Sequence, residues 1–318
     1  SLSLFLSFSL SLFLSFSLLF FRGGRANNGG AIYVSGGRTE IHIVDSTFEG
    51  NTAGGNAGAG AIDAYKGALV SIVRSMFKDN FGQNTAGAIR VSGGNDCDPD
   101  TNPATPGSWV DTFTAGTERW VCPCMNYQAV KDSSKYIPAR RCIGQTIWST
   151  LIVIDSTITR NMAYSGRGGA IYLNGKAHGM INGSLFDANM AWTDDGGGIA
   201  VRQATLDMHN TTMRRNMANL RNNVGKGGAI HIGQGPHVWV RMSSSTIEHN
   251  YAATAYSTSD SGGRGGGVYQ EKASSELILA DAANVFRENW SVRLLVFICF
   301  CSKDMSLVCF CSQNMLHF

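Results

Sequence analysis

The sequence predicts an all-β chain, a parallel β-helix of about seven coils with one cysteine-containing insertion. Three observations predict it. A glycine-rich tetrapeptide recurs seven times, a second tetrapeptide ending in Asn alternates strictly with it, and the apolar runs in between are short and β-branched. Composition agrees: Gly, at 38 of 318 residues, is well above the ordinary share of about 7%, while Pro, at 6, is scarce. Many tight turns follow, without collagen or a Pro-rich linker. A net charge of +3 is too small to imply a nucleic-acid partner. Hydrophobic residues at 43% allow a packed core and exclude a disordered chain.

The first tetrapeptide is Gly-Gly-Ala-Ile or a close variant: 29–32, 59–62, 86–89, 168–171, 196–199, 227–230 and 265–268. The second is an apolar residue, two variable residues and Asn: 48–51, 77–80, 158–161, 186–189, 213–216, 247–250 and 286–289. Successive branched residues of the first motif lie 30, 27, 82, 28, 31 and 38 residues apart, one base period with a single large insertion. Self-similarity at that period is the mark of a solenoid. Runs such as Ile41-His42-Ile43 and Ile152-Val153-Ile154, bounded by Gly, Asn, Ser and Asp, read as strands. No unit holds a glycine-free helical pattern. Two or three short strands with their turns fill a coil, which gives a β-helix and not a leucine-rich or ankyrin array.

Stacking then assigns roles. Coils lie about 4.8 Å apart, so equivalent residues sit over one another. Ile32, Ile62, Ile89, Ile171, Ile199, Ile230 and Val268 form an inward aliphatic stack. Phe48, Phe77, Phe186 and Phe286 form an aromatic one, with Ile158, Met213 and Ile247 in the same column. The paired glycines supply a turn with φ > 0 or a close approach of coils. Asn51, Asn80, Asn161, Asn189, Asn216, Asn250 and Asn289 form a structural side-chain ladder, each Asn tolerating the left-handed conformation at its bend. The glycines of 262–267 lack the lysine and following helix of a phosphate loop.

Alternating Gly-Gly-Ala-[Ile/Leu/Val] and Phe-x-x-Asn motifs over residues 29–289 resemble the repeats of chlamydial-type polymorphic outer-membrane proteins, found also in algal and protist β-helix proteins. The resemblance implies a right-handed, pectin-lyase-like β-helix exposed at the cell surface or outside the cell. In the bacterial members it implies an adhesive passenger. It brings no catalytic residue set. The sequence departs from those members in showing no transmembrane barrel pattern after Trp290 and no clear signal before Arg22.

Four regions are expected: a low-complexity Ser/Leu/Phe segment (1–22), the β-helix (23–290), an insertion within it (92–148) and a low-complexity, cysteine-rich tail (291–318). Residues 1–16 are one octamer written twice. The run fits a translated pyrimidine-rich repeat or a truncated signal or anchor, and membrane association is expected only through residues 1–21. In the tail, Cys299, Cys301, Cys309 and Cys311 are spaced C-x-C, tighter than structural zinc sites. The insertion carries Cys97, Cys122, Cys124 and Cys142, read as disulfide candidates of a small domain stapled outside the solenoid. Three pairings are open, with Cys97–Cys142 preferred. Asp96, Asp98 and Asp100 alternate as calcium ligands can, yet Thr101 and Gly107 stand where an EF-hand wants Gly and Glu, so a plain turn is the simpler reading. No other cofactor is expected.

Parallel β-helices also host polysaccharide hydrolases and lyases, so catalysis is weighed on residues. Paired carboxylates suit glycoside hydrolysis, and the candidates are Asp194 and Asp195, with His178 upstream. Their order is the reverse of the polygalacturonase motifs, and the first and last of those motifs are missing. A lyase would add an Arg, and Arg160, Arg202, Arg214, Arg215 and Arg241 are available. Asn182 and Asn210 head glycosylation sequons, while the sequon at Asn289 competes with its ladder role. The expected function is an extracellular or cell-surface adhesion or binding surface without catalysis, its partner a glycan or a surface protein. A polysaccharide-active enzyme is the alternative.

Overall fold

β-branched and aromatic residues alternating with small polar ones can satisfy strand periodicity only if one face is buried, and stacking coils supply that face. The computed structural model describes residues 4–7, 12–35, 39–55, 58–95, 146–218, 225–235, 238–252, 263–272, 274–291, 297–300 and 308–311. These residues build four parallel sheets of eight strands each, without a helix. One coil visits the four in turn: Ile62–Tyr65 in the first sheet, Leu69–Val73 in the second, Met76–Lys78 in the third and Phe81–Gly82 in the fourth. The chain is a parallel β-helix solenoid. Seven coils carry the two motifs, and one more precedes them.

That extra coil comes from residues 4–26, so the sheets begin ahead of the expected boundary at Gly23 and continue to Ser291. The reason is period-two alternation. Leu12–Ser17 pairs in register with Thr39–Val44, Leu14 and Phe16 pack against the core, and Phe21 stacks on Phe48 at 4.6 Å. Beyond Ser291, Phe297–Phe300 and Val308–Cys311 pair antiparallel, with Cys299 opposite Cys309.

The core follows the motif columns. Ile32, Ile62, Ile89, Ile171, Ile199 and Ile230 are wholly buried and in register, with Val268 next and half-buried. Phe48 and Phe77 stack at 4.5 Å with planes 2° apart. Each such aromatic contributes about 1.5–3 kcal/mol through burial. The narrow fourth sheet turns Ala53, Ala163, Ala191, Ala218 and Ala252 inward, where nothing larger is needed.

The two glycines do different work. Gly168, the first of its pair, has φ +72° and turns tightly on its own strand, where a Cβ would stand 2.0 Å from the Ile171 carbonyl oxygen, whereas a Cβ on Gly169 would stand 2.1 Å from the Gly197 carbonyl oxygen of the next coil. The Asn bend differs from expectation. Positive φ falls on the residue before each ladder Asn (Gly50, Asp79, Arg160, Ala188, Arg215, His249, Glu288) and not on the Asn itself. The Asn side chain is instead committed to neighbouring coils, which holds its predecessor in a conformation costing about 1–2 kcal/mol wherever that residue is not glycine, as it is at Gly50.

The insertion leaves and re-enters at the turn between the first two sheets, through a short antiparallel pair of Gly94–Asn95 with Thr146–Ile147. Register continues across it: Ile89 faces Ile171, and Leu69 faces Thr150. Cys97, Cys122, Cys124, Cys142, Asp96, Asp98 and Asp100 lie outside the described residues, as do Cys301 and the zinc reading of the tail. Among the described residues, no helix is long and apolar enough to cross a membrane.

Candidate functional site

The ladder is the most regular polar feature. Asn51 Nδ2 donates to Asn80 Oδ1 (2.9 Å) and to the Phe21 carbonyl (3.0 Å), while Asn80 Oδ1 also accepts the Asn51 backbone N–H. The pattern repeats through Asn80, Asn161, Asn189, Asn216, Asn250 and Asn289. A buried amide so placed leaves no donor unpaired. A second ladder, absent from the sequence reading, runs beside it. The Ser46 N–H donates to Ser75 Oγ, Ser75 N–H to Ser156 Oγ, Ser156 N–H to Ser184 Oγ, and each hydroxyl donates to the carbonyl two residues back. Its signal is a Ser or Thr two residues before six of the seven apolar-x-x-Asn motifs, with Asn284 taking that place in the last.

Two constellations carry chemistry beyond scaffolding. One lies on the outer face of the second sheet. His178 Nδ1 is 2.8 Å from Thr205 Oγ1 and its Nε2 is 3.8 Å from Asp207 Oδ2, with the Trp239 ring 6.0 Å away. Strand register puts Arg241 beside Asp207 and Trp239 beside Thr205. Burial pushes the His178 pKa below its ordinary value, against the pull of Asp207. All of His178's contacts here lie on the second sheet, whereas Asp194 and Asp195 sit in the turn entering the first sheet. The three residues singled out for catalysis are therefore divided between two faces. Of the arginines weighed with them, Arg160 pairs with Asp79, and Arg214 and Arg215 pair with Asp187, on the third-sheet side.

The second constellation gathers around Asp195. The outward row of the first sheet runs Tyr33, Asp63, Arg90, Tyr172, Ala200, His231, Tyr269. The glycine turns fold over this row, so His231 is only 1% exposed although it points away from the core. Its Nε2 lies 3.7 Å from Asp195 Oδ2 and 3.7 Å from Glu271 Oε2, and among the described residues neither ring nitrogen has a hydrogen-bond partner. Tyr269 stacks on the imidazole at 5.9 Å. Lys226 gives its backbone N–H to Asp195 Oδ1 (3.1 Å) and its Nζ to Glu271 Oε1 (3.2 Å), and Arg167 Nε bonds Asp194 Oδ1 (3.1 Å).

The electrostatics divide the two carboxyls. Burial first, and then the neighbouring Asp194 charge, push Asp195 up to about 7. Burial also raises Glu271, but hydrogen bonds from Gln234 and Lys226 outweigh it and hold that carboxyl below its usual range. Burial drives His231 down to about 3. At mildly acidic pH, below the pKa of Asp195, a carboxylic acid, a carboxylate and a neutral imidazole thus coexist. Sequence reasoning found Asp194 and Asp195 as a visible dipeptide but missed Lys226, His231 and Glu271, which come from later coils. Among the described residues, no group of three or more His, Cys, Asp or Glu side chains is arranged to hold a metal ion.

Asn182 and Asn210 are both exposed at the corner leaving the second sheet, as glycosylation requires. The fold and these surfaces define the class, a parallel β-helix repeat protein. Comparison with protein-family models, curated proteins and solved structures returns no match.

Proposed function

We propose that the chain is an extracellular or cell-surface recognition protein, related to the polymorphic outer-membrane repeat proteins, that binds a glycan along its second sheet. The observation that carries this reading is the in-register outer face on which His178, Thr205 and Trp239 adjoin Asp207 and Arg241. An aromatic ring offers an apolar platform for a sugar's C–H face, and the polar side chains around it donate and accept hydrogen bonds to hydroxyls. Stacked coils repeat such positions along an extended, shallow surface, which suits a polymer better than a small molecule. Met180 and Ile278, each 39% exposed in the row of Asp207 and Arg241, add apolar contact. The exposed sequons at Asn182 and Asn210 support a secreted location.

The test uses the full chain against a panel of neutral and acidic polysaccharides. At least one is expected to bind, and Trp239→Ala weakens that binding by about tenfold or more while the melting temperature holds. Binding that ignores Trp239, or a panel with no ligand, overturns the reading. A polysaccharide-active enzyme remains the second reading. The observation favouring it is the buried acid at Asp195, and not the set that included His178.

A further inference from the structure

We propose that Asp195 and Glu271 form the acid–base pair of a glycoside-hydrolysing site, with His231 positioned between them to return the proton after each turnover. The proposal takes only its substrate class, a glycan, from the reading above; it places a reaction on the outer side of the first sheet, apart from the second-sheet face that carries recognition.

The geometry singles out this cluster. Its centre is nearly dry, with His231 1% and the Asp195 side chain 8% exposed, while the rim is half open, Asp194 at 31%, Arg167 at 28%, Glu271 at 21% and Lys226 at 20%. An imidazole buried with neither nitrogen partnered among the described residues forfeits about 1–3 kcal/mol for each unmade bond. Such a group is kept where it does work, and here its Nε2 stands equidistant from two carboxylates. The two acids have opposite surroundings. Asp195 is enclosed beside Asp194, whereas Glu271 is half exposed and held by Lys226. Titratable pairs separated in this way mark acid and base roles.

The reaction class follows from what the cluster contains. Among the described residues it offers no hydroxyl or thiol nucleophile beside a base. An acetal linkage needs only a proton delivered to the leaving oxygen and a base for the attacking water. The Asp195 carboxylic acid gives its proton to the glycosidic oxygen as the C–O bond breaks. Glu271 takes a proton from water as the water oxygen bonds to the anomeric carbon. The products are a new reducing end and a free hydroxyl, leaving Asp195 ionised and Glu271 protonated. The Nε2 of neutral His231 accepts the proton from Glu271 and passes it to Asp195, closing the cycle. At 3.7 Å each transfer needs a movement of less than about 1 Å, within what catalytic contacts gain when substrate binds. Tyr269, stacked on His231 at the site's edge, offers a ring face to the sugar.

The experiment incubates the full chain with the polysaccharide panel and follows binding, new reducing ends and unsaturated ends in the same samples. Reducing ends without unsaturation are expected, and Asp195→Asn and Glu271→Gln each lower the rate by about 100-fold or more. Glu271 is rim-exposed, so its variant keeps the test valid if the Asp195 variant fails to fold. His231→Gln is expected to lower kcat by at least about tenfold with KM unchanged and to flatten the pH profile, which loss of packing alone would not do. Binding without cleavage overturns this proposal and leaves the recognition surface standing. Unsaturated ends, or cleavage that survives Glu271→Gln, overturn it as well.

Discussion

Asn216 is wholly buried, and four hydrogen bonds depend on its amide. Its Nδ2 serves the Phe186 carbonyl and Asn250 Oδ1, and its Oδ1 accepts the backbone N–H and Nδ2 of Asn189. In Asn216→Ala the Asn189 donors and the Phe186 carbonyl lose their partners at about 1–3 kcal/mol each. Thermal unfolding is expected to show a loss of at least about 2 kcal/mol, and an unchanged melting temperature would refute the ladder as a source of stability. Asp195 and His231 make a subtler pair. Asp195 has a raised pKa in the fold, so its contribution is full below the ordinary carboxylate range and fades as pH climbs towards about 7. His231 has a lowered one, so its contribution is full above the ordinary imidazole value of about 6.5 and fades as pH falls towards about 3. Between about pH 4 and 6.5 the two slopes oppose. The groups facing both, Asp194, Arg167, Lys226 and Glu271, remain in either variant. Relative to the native chain, Asp195→Asn should therefore gain stability as pH rises through that window and His231→Gln should lose it. Slopes of one sign in melting curves across that range would show that the pair is not coupled in this way.

At the scale of the element, each glycine turn is a close contact between coils. A Cβ on Gly169 meets the Gly197 carbonyl oxygen at 2.1 Å and the Met190 nitrogen at 2.4 Å, both backbone atoms that cannot step aside. Gly168 is no freer: its φ of +72° strains an L side chain, and a Cβ there would meet the Ile171 carbonyl oxygen at 2.0 Å. Ala59 and Ala86 take the first position only in coils where φ is not positive. Gly168→Ala and Gly169→Ala should therefore each cost about 3 kcal/mol or above. A loss below about 1 kcal/mol for either one in denaturant unfolding would show that the turn has room for a side chain there. The turns also show what the sequence could disclose. A period near thirty residues exposes every column of the solenoid, because Ile62 is read against Ile89 and Phe48 against Phe77. The Ser column escaped notice because Ser and Thr are common at turns for local reasons. The Asp195 cluster escaped because His231 and Glu271 come from other coils with loops of varied length between them. The left-handed bend was placed on Asn by its general tolerance, whereas the ladder bonds shift it one residue earlier.

Over the whole molecule, in-register stacking is a hazard for charge, since like residues lie about 4.8 Å apart along a column. The outermost row of the third sheet answers this by alternation: Arg22, Glu49, Lys78, Thr159, Asp187, Arg214, Glu248, Arg287. Neighbours attract, with Lys78 3.3 Å from Glu49 and Arg287 2.6 Å from Glu248. With the basic partner reaching solvent in each, a pair contributes about 1 kcal/mol or less alone. Their shared service is to penalise any slip of one coil against the next, which would bring like charges together. The same regularity explains the tolerance of the insertion after Asn95. Its two ends are already neighbours in a turn, and closing a longer loop costs only about 0.6 kcal/mol for each doubling of length. The sheets on either side keep their register, so the molecule has a socket whose contents can be exchanged without renegotiating the frame. What the chain displays there and what holds it upright can evolve on separate clocks.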